Sequence, residues 1–96
     1  MTLETLFEII CSRRDHPIPG SYTLALLEAG EDEILKKIGE ETIELIIAAK
    51  GQGERRLIEE SADLLYHLLV LLAMKKIPPE RVMGELDARH AEKKAR

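Results

Sequence analysis

A helix that is apolar on nearly every side cannot lie at the surface of a small protein, and the run Leu64-Leu65-Tyr66-His67-Leu68-Leu69-Val70-Leu71-Leu72 is such a helix. At about 100° per residue its aliphatic side chains point in almost every direction, so it needs packing partners all round. The segment Glu31 to Lys50 is apolar on two faces. Ile34, Ile38, Leu45 and Ala49 share one stripe, while Ile43 and Ile47 project from roughly the opposite side. A chain of 96 residues has too few other helices to surround both segments. The expected fold is therefore all-α, a helical bundle of about five helices per chain whose central helices are completed by dimerisation, most simply as a two-fold homodimer.

Punctuation along the chain sets the other elements. Leu3, Leu6, Ile9 and Ile10 stand at helical spacing within Thr2 to Arg14, and Pro17, Pro19 and Gly20 make Asp15 to Ser21 a loop. Thr23 is placed to cap a short helix running through Glu28, which Gly30 ends. The third helix stops at Gly51 and Gly53, the fourth runs from about Glu54 to Lys76, and Pro78 and Pro79 suit the start of a fifth reaching about Glu92. Lys93 to Arg96 is expected to fray. Residues 1–96 read as one all-α domain with its core in 20–92.

Composition narrows the function. Fourteen Lys and Arg against eighteen Asp and Glu give a formal charge of -4, which argues against binding a nucleic-acid backbone. Leu64 to Met74 is well short of a membrane span of about 20 residues, and the N-terminus carries no basic region followed by a long apolar stretch. A single cysteine, Cys11, allows no internal disulfide. A protein of the cytoplasm, without a membrane partner, is expected.

The acidic residues of the two central helices carry the chemistry. Glu41 and Glu44 on the third helix, and Glu60 and Asp63 on the fourth, each stand three residues apart, so each pair shares a helix face with Cβ atoms about 5–6 Å apart. Antiparallel helices joined by a short turn bring the pairs face to face. Four carboxylates at the inner edge of a bundle are costly as bare charges, so a cation is expected between them. Magnesium fits: it takes oxygen ligands at about 2.0–2.1 Å, keeps waters and is shared readily with phosphates. Manganese meets the same requirements. Di-iron would want a Glu-x-x-His motif from each of two helices, and zinc would want clustered Cys and His; neither is present. The plain alternative is a solvated face with ion pairs such as Lys36–Glu40 and Lys37–Glu41. Against it, Arg56, Glu60, Asp63 and His67 form a polar stripe on the most apolar helix of the chain. His67 on that stripe is either a hydrogen-bonded core residue or a support for the ligands from behind.

Glu40-Glu41-Thr42-Ile43-Glu44, with fifteen residues before Glu60-Ser61-Ala62-Asp63, resembles the E-E-x-x-E…E-x-x-D signature of the all-α nucleoside triphosphate pyrophosphohydrolases, the MazG-like superfamily. Gly20-Ser21-Tyr22-Thr23, Lys36-Lys37-Ile38-Gly39, Ile47-Ala48-Ala49-Lys50 and Ala62-Asp63-Leu64-Leu65-Tyr66-His67-Leu68 make the likeness closest to its phosphoribosyl-ATP pyrophosphohydrolases. The likeness covers about Gly20 to Met74. It implies hydrolysis of phosphoribosyl-ATP, a small-molecule nucleotide, to phosphoribosyl-AMP and pyrophosphate in histidine biosynthesis. It further implies that Glu41, Glu44, Glu60 and Asp63 hold magnesium, with Glu40 assisting the attacking water. Lys36 or, better placed, Lys37 is a candidate phosphate contact, with a solvated lysine as the alternative. Ser21, Tyr22 and Thr23 precede a helix and offer hydroxyls and free N–H groups to the substrate, although Thr23 serves equally as a plain cap. Two other functions stay open on the residues: a house-cleaning pyrophosphohydrolase acting on free nucleotides, and a non-catalytic helical dimerisation module.

Overall fold

A computed structural model describes residues 1–93, and every regular element in them is helical: α1 (Leu3–Asp15), α2 (Tyr22–Ala29), α3 (Glu31–Gly51), α4 (Glu54–Met74) and α5 (Pro79–Lys93). Of the expected C-terminal fraying, residues 94–96 lie outside the described part, and Lys93 closes α5. The all-α architecture expected from the apolar pattern is the one observed. No described helix is long and apolar enough to cross a membrane.

Local signals account for most helix ends. Thr2 caps α1 in a reciprocal arrangement: its hydroxyl accepts from the Thr5 N–H at 3.1 Å, and the Thr5 hydroxyl accepts from the Thr2 N–H at 2.9 Å. Gly30, at φ 100°, ends α2 and opens α3 without an intervening loop, a backbone conformation that a side chain would strain. Two ends differ from expectation. The cap of α2 is Ser21, whose hydroxyl accepts from the Leu24 N–H at 3.2 Å; Thr23 lies inside the helix. And α4 stops at Met74, two residues early, because Lys76 turns left-handed at φ 59°. There the Ile77 N–H returns to the Leu72 carbonyl at 2.9 Å and the Lys76 N–H to the Ala73 carbonyl at 3.1 Å, the paired bonds of a Schellman motif. A lysine in this conformation is strained where glycine is not. Lys76→Gly is therefore expected to stabilise the fold by about 0.5–1 kcal/mol, read as a higher urea midpoint with unchanged slope.

The core forms where α1, α2 and α3 meet α4. Ile10, Leu26, Ile34, Leu69, Val70 and Ala73 are buried together, with Phe7, Leu27, Ile38 and Leu72 packed around them. α4 touches α1, α2 and α3, and so occupies the central place that its all-round apolarity demands. Arg14 adds a polar tie, donating to the Ala73 carbonyl at 2.6 Å while Asp15 holds its guanidinium at 2.8 Å. Cys11, half-buried beside them, has its thiol pushed up by burial, as befits a packing residue.

The second faces of the central helices remain open. Ile43, Ile46 and Ile47 on α3 are 61%, 58% and 50% exposed, and Ile58, Leu65 and Leu68 on α4 are exposed as well. The chain presents 6639 Å² to solvent, where a monomer of its mass presents roughly 5,500 Å². Its radius of gyration is 15.1 Å, against about 12.5 Å for a compact chain of this length. The open faces of α3 and α4 contribute to both excesses, and so does α5, exposed along most of its length.

Candidate functional site

The α3–α4 hairpin turns over through Gln52 and Gly53, with Gly53 at φ 89°. This short return makes the helices antiparallel and sets Glu41 against Glu60 and Asp63, whose ligand oxygens lie within 4.8 Å of one another. Glu60 is only 2% exposed, Glu41 is half-buried and Asp63 opens to solvent. One oxygen of each of the two inner residues, Glu41 Oε2 and Glu60 Oε2, is buried without a hydrogen-bond partner. Glu44 is exposed and lies outside this group of three, near enough to Glu41 for its carboxyl to help push the Glu41 carboxyl up. Glu40 is exposed and is not among the three clustered residues.

Crowded acids resist ionisation. Burial first, and then the closeness of the Glu60, Glu44 and Asp63 carboxyls, push the Glu41 carboxyl up from 4.5 to about 7. Orphaned buried oxygens are among the costlier features of a folded protein, and an oxygen-seeking cation satisfies them. The donor set is all carboxylate, which suits magnesium or manganese and does not suit zinc. The residues present thus fit a divalent cation.

The raised Glu41 fixes the sign of a pH effect. Its folded pKa lies above its unfolded one, so its contribution to stability is complete below about pH 4.5 and is lost as pH rises through about 7. A cation requires the ionised carboxyl, which reverses the trend. Unfolding midpoints measured in chelator should fall between about pH 4.5 and about pH 7, whereas the increment added by saturating magnesium should grow over the same range and level off above it. An increment independent of pH would exclude Glu41 from the ion's ligands.

The other singled-out residues fall into two sets. Ser21, Tyr22 and Thr23 come together with His67, and all of their hydroxyls are engaged within the protein. Ser21 caps α2. The Tyr22 hydroxyl meets His67 Nε2 at 3.1 Å, and the Thr23 hydroxyl bonds that of Tyr66. The rings of Tyr22, Tyr66 and His67 pack against one another, with Tyr66 and His67 edge-on at 5.1 Å between centroids. His67 is 4% exposed, and its Nδ1–H donates to the Asp63 carbonyl at 2.7 Å, which leaves Nε2 to meet the Tyr22 hydroxyl. The group pins α2 to α4 one turn beyond Asp63. This is the hydrogen-bonded core reading of His67. The second set is Lys36, exposed, and Lys37, half-buried; neither forms an ion pair among the described residues, so neither repeats the solvated Lys–Glu pattern that their spacing allows.

Sequence reasoning recognised Arg56 as part of the polar stripe without giving it a role. Its guanidinium bridges Glu59 and Glu60, at 2.8 and 2.5 Å. The i,i+4 spacing of Arg56 and Glu60 was the available signal. An open surface depression of about 680 Å³ is lined by Pro17, Pro19, Ser21, Tyr22 and Glu28, and another of about 490 Å³ by Ile77, Arg81, Val82, Glu85, Leu86 and Arg89. Neither is lined by the clustered carboxylates.

Comparison with known proteins bears on this geometry. The family model for phosphoribosyl-ATP pyrophosphohydrolase matches residues 3–90. A phosphoribosyl-ATP pyrophosphatase of Pelotomaculum thermopropionicum is 54% identical over 91 residues, covering 95% of this chain and 93% of the relative. Proteins of the same name from Bacillus cereus and Clostridium botulinum are each 51% identical, over 93% and 91% of this chain and 83% and 79% of their own lengths.

Proposed function

The chain belongs to the phosphoribosyl-ATP pyrophosphohydrolase family, and from that premise we propose that it hydrolyses phosphoribosyl-ATP to phosphoribosyl-AMP and pyrophosphate, in the cytoplasm, as a step of histidine biosynthesis. The observation that carries the site is the convergence of Glu41, Glu60 and Asp63, with two buried oxygens lacking partners. We assign the cation, magnesium, to these three residues and to Glu44 beside them, with manganese as the substitute of like chemistry.

Bound magnesium supplies charge neutralisation for the triphosphate and a water of lowered pKa. Everything else falls to the protein. Water adds to the first phosphorus, the bond to the bridging oxygen breaks, and pyrophosphate leaves with the electron pair. Glu60, buried and fixed, provides a ligand that does not move. Glu41, whose carboxyl is pushed up by burial and by its acidic neighbours, would hold the cation as a carboxylate, the cation's charge standing where a proton otherwise relieves the crowding. Glu40, exposed and next to Glu41 in the chain, would assist by orienting the attacking water. Lys37, half-buried one turn before Glu41, meets the phosphate chain, with Lys36 beside it. The Ser21 to Thr23 segment with His67 sets the wall along which the rest of the substrate lies: Tyr22 is 53% exposed while its hydroxyl is held.

The working unit in this reading is a homodimer. Its support is the apolar face left open on the two central helices, with Ile43, Ile46 and Ile47 on α3 and Ile58, Leu65 and Leu68 on α4 exposed. Assay of pyrophosphate release from phosphoribosyl-ATP beside a panel of nucleoside triphosphates tests the function. Preference for phosphoribosyl-ATP is expected. Equal turnover of the panel would make this a house-cleaning enzyme, and no release from any of them would leave a non-catalytic module.

A further inference from the structure

Glu60 has two carboxylate oxygens in different circumstances. Oε1 receives Arg56 Nη2 at 2.5 Å, and Oε2 is buried without a partner. The guanidinium is braced in turn: its Nη1 meets Glu59 Oε1 at 2.8 Å, and the other oxygen of Glu59 is held by Arg55 at 3.4 Å. The Glu60 side chain is 3% exposed with Arg56, itself 47% exposed, lying over Oε1. The planar fork of arginine spans two neighbouring carboxylates in a way that a single ammonium cannot.

We propose that Arg56 determines which divalent ion this site accepts, by occupying one oxygen of Glu60 and leaving it a one-oxygen ligand. This rests on the reading of Glu41, Glu60 and Asp63 as the cation site. Magnesium has a small octahedral sphere and takes carboxylates through single oxygens; calcium takes six to eight oxygens, at about 2.3–2.6 Å, and readily accepts both oxygens of one carboxylate. A Glu60 with one oxygen withheld suits magnesium and deprives calcium of a chelating ligand. Arg56 thus acts through Glu60 and is a positioning residue.

Arg55 is a natural control. It carries the same charge one residue earlier, is 81% exposed, and contacts Glu59 without touching Glu60. Titration calorimetry on the full chain, with magnesium and calcium chloride in separate runs, would give both dissociation constants for the wild type, Arg56→Met and Arg55→Met. Arg56→Met should shift the affinity ratio towards calcium by about tenfold, while Arg55→Met leaves the ratio unchanged and only tightens both ions slightly through lost repulsion. If Arg56→Met fails to fold, Arg56→Ala, which likewise brings no donor to Oε1, gives the same reading. An unchanged ratio in the Arg56 variant, or an equal shift in both variants, overturns the proposal and leaves the cation site standing. A wild type that binds neither ion overturns the cation site itself.

Discussion

Glu41→Gln is expected to cut pyrophosphate release by on the order of a thousandfold while making the metal-free protein more stable. The two effects share one cause. Glu41 and Glu60 each bury an oxygen without a partner, and burial with neighbouring charge pushes Glu41 up to about 7. Above that pH the folded protein holds an ionised carboxyl against its environment, at a free-energy cost that unfolding releases. A neutral amide removes the repulsion, and its N–H can donate to the orphaned oxygen of Glu60. Glu41 is only half-buried, so solvent screening trims the gain to about 1–2 kcal/mol near pH 8. The activity loss follows from removing an anionic ligand: charge stabilisation of a transferring phosphoryl group amounts to several kcal/mol. Unfolding in chelator and turnover in magnesium, measured on one preparation, check both halves. A variant that is less stable than the wild type in chelator, or that keeps its activity, would show that Glu41 is an ordinary surface carboxylate. The magnesium-induced rise in unfolding midpoint should also shrink. This opposition of stability and function is usual where a site is built from groups that repel one another until their ligand arrives.

The acids of that site were legible because helical periodicity is strict. Two pairs at i,i+3 on helices joined by a short glycine turn have few ways to lie other than facing, and Glu41, Glu60 and Asp63 do face. The exposure of Glu44 was not legible, since the rotation of α3 about its axis depends on packing by α2 and α4 that no local pattern encodes. Position along the chain was equally blind to the use of the α2 hydroxyls. Ser21 and Thr23 are both good caps; Ser21 takes the role, while the Thr23 hydroxyl goes to Tyr66, 43 residues away in the chain. The early end of α4 escaped for a different reason. Left-handed C′ positions are recognised by glycine or asparagine, and here the position holds a lysine, with only Pro78 and Pro79 downstream to mark a stop. The fold class needed none of these details. Leu69, Val70 and Ala73 are buried against α4's neighbours, while Leu65 and Leu68 on the same helix are exposed.

That division within α4 and α3 leads to a second large effect, on assembly. If a second copy covers Ile43, Ile46 and Ile47, then Ile47→Lys places an unpaired ammonium at the centre of the interface, and two-fold symmetry places it there twice. Burying one charge without a partner costs about 3–5 kcal/mol, to which the lost burial of isoleucine adds about 1.5–3 kcal/mol per copy. The combined penalty exceeds the roughly 8 kcal/mol that holds a micromolar dimer together. Sedimentation of the variant should therefore give a species of 10.8 kDa at concentrations where the wild type sediments as a dimer. The substitution is chosen to be harmless to the single chain. Ile47 is half exposed there, and it lies near the C-terminal end of α3, where a cation suits the helix dipole. Without a partner subunit, a change at such a position moves stability by no more than about 0.5 kcal/mol. An unaltered mass together with unaltered stability would mean that this apolar face is simply solvated.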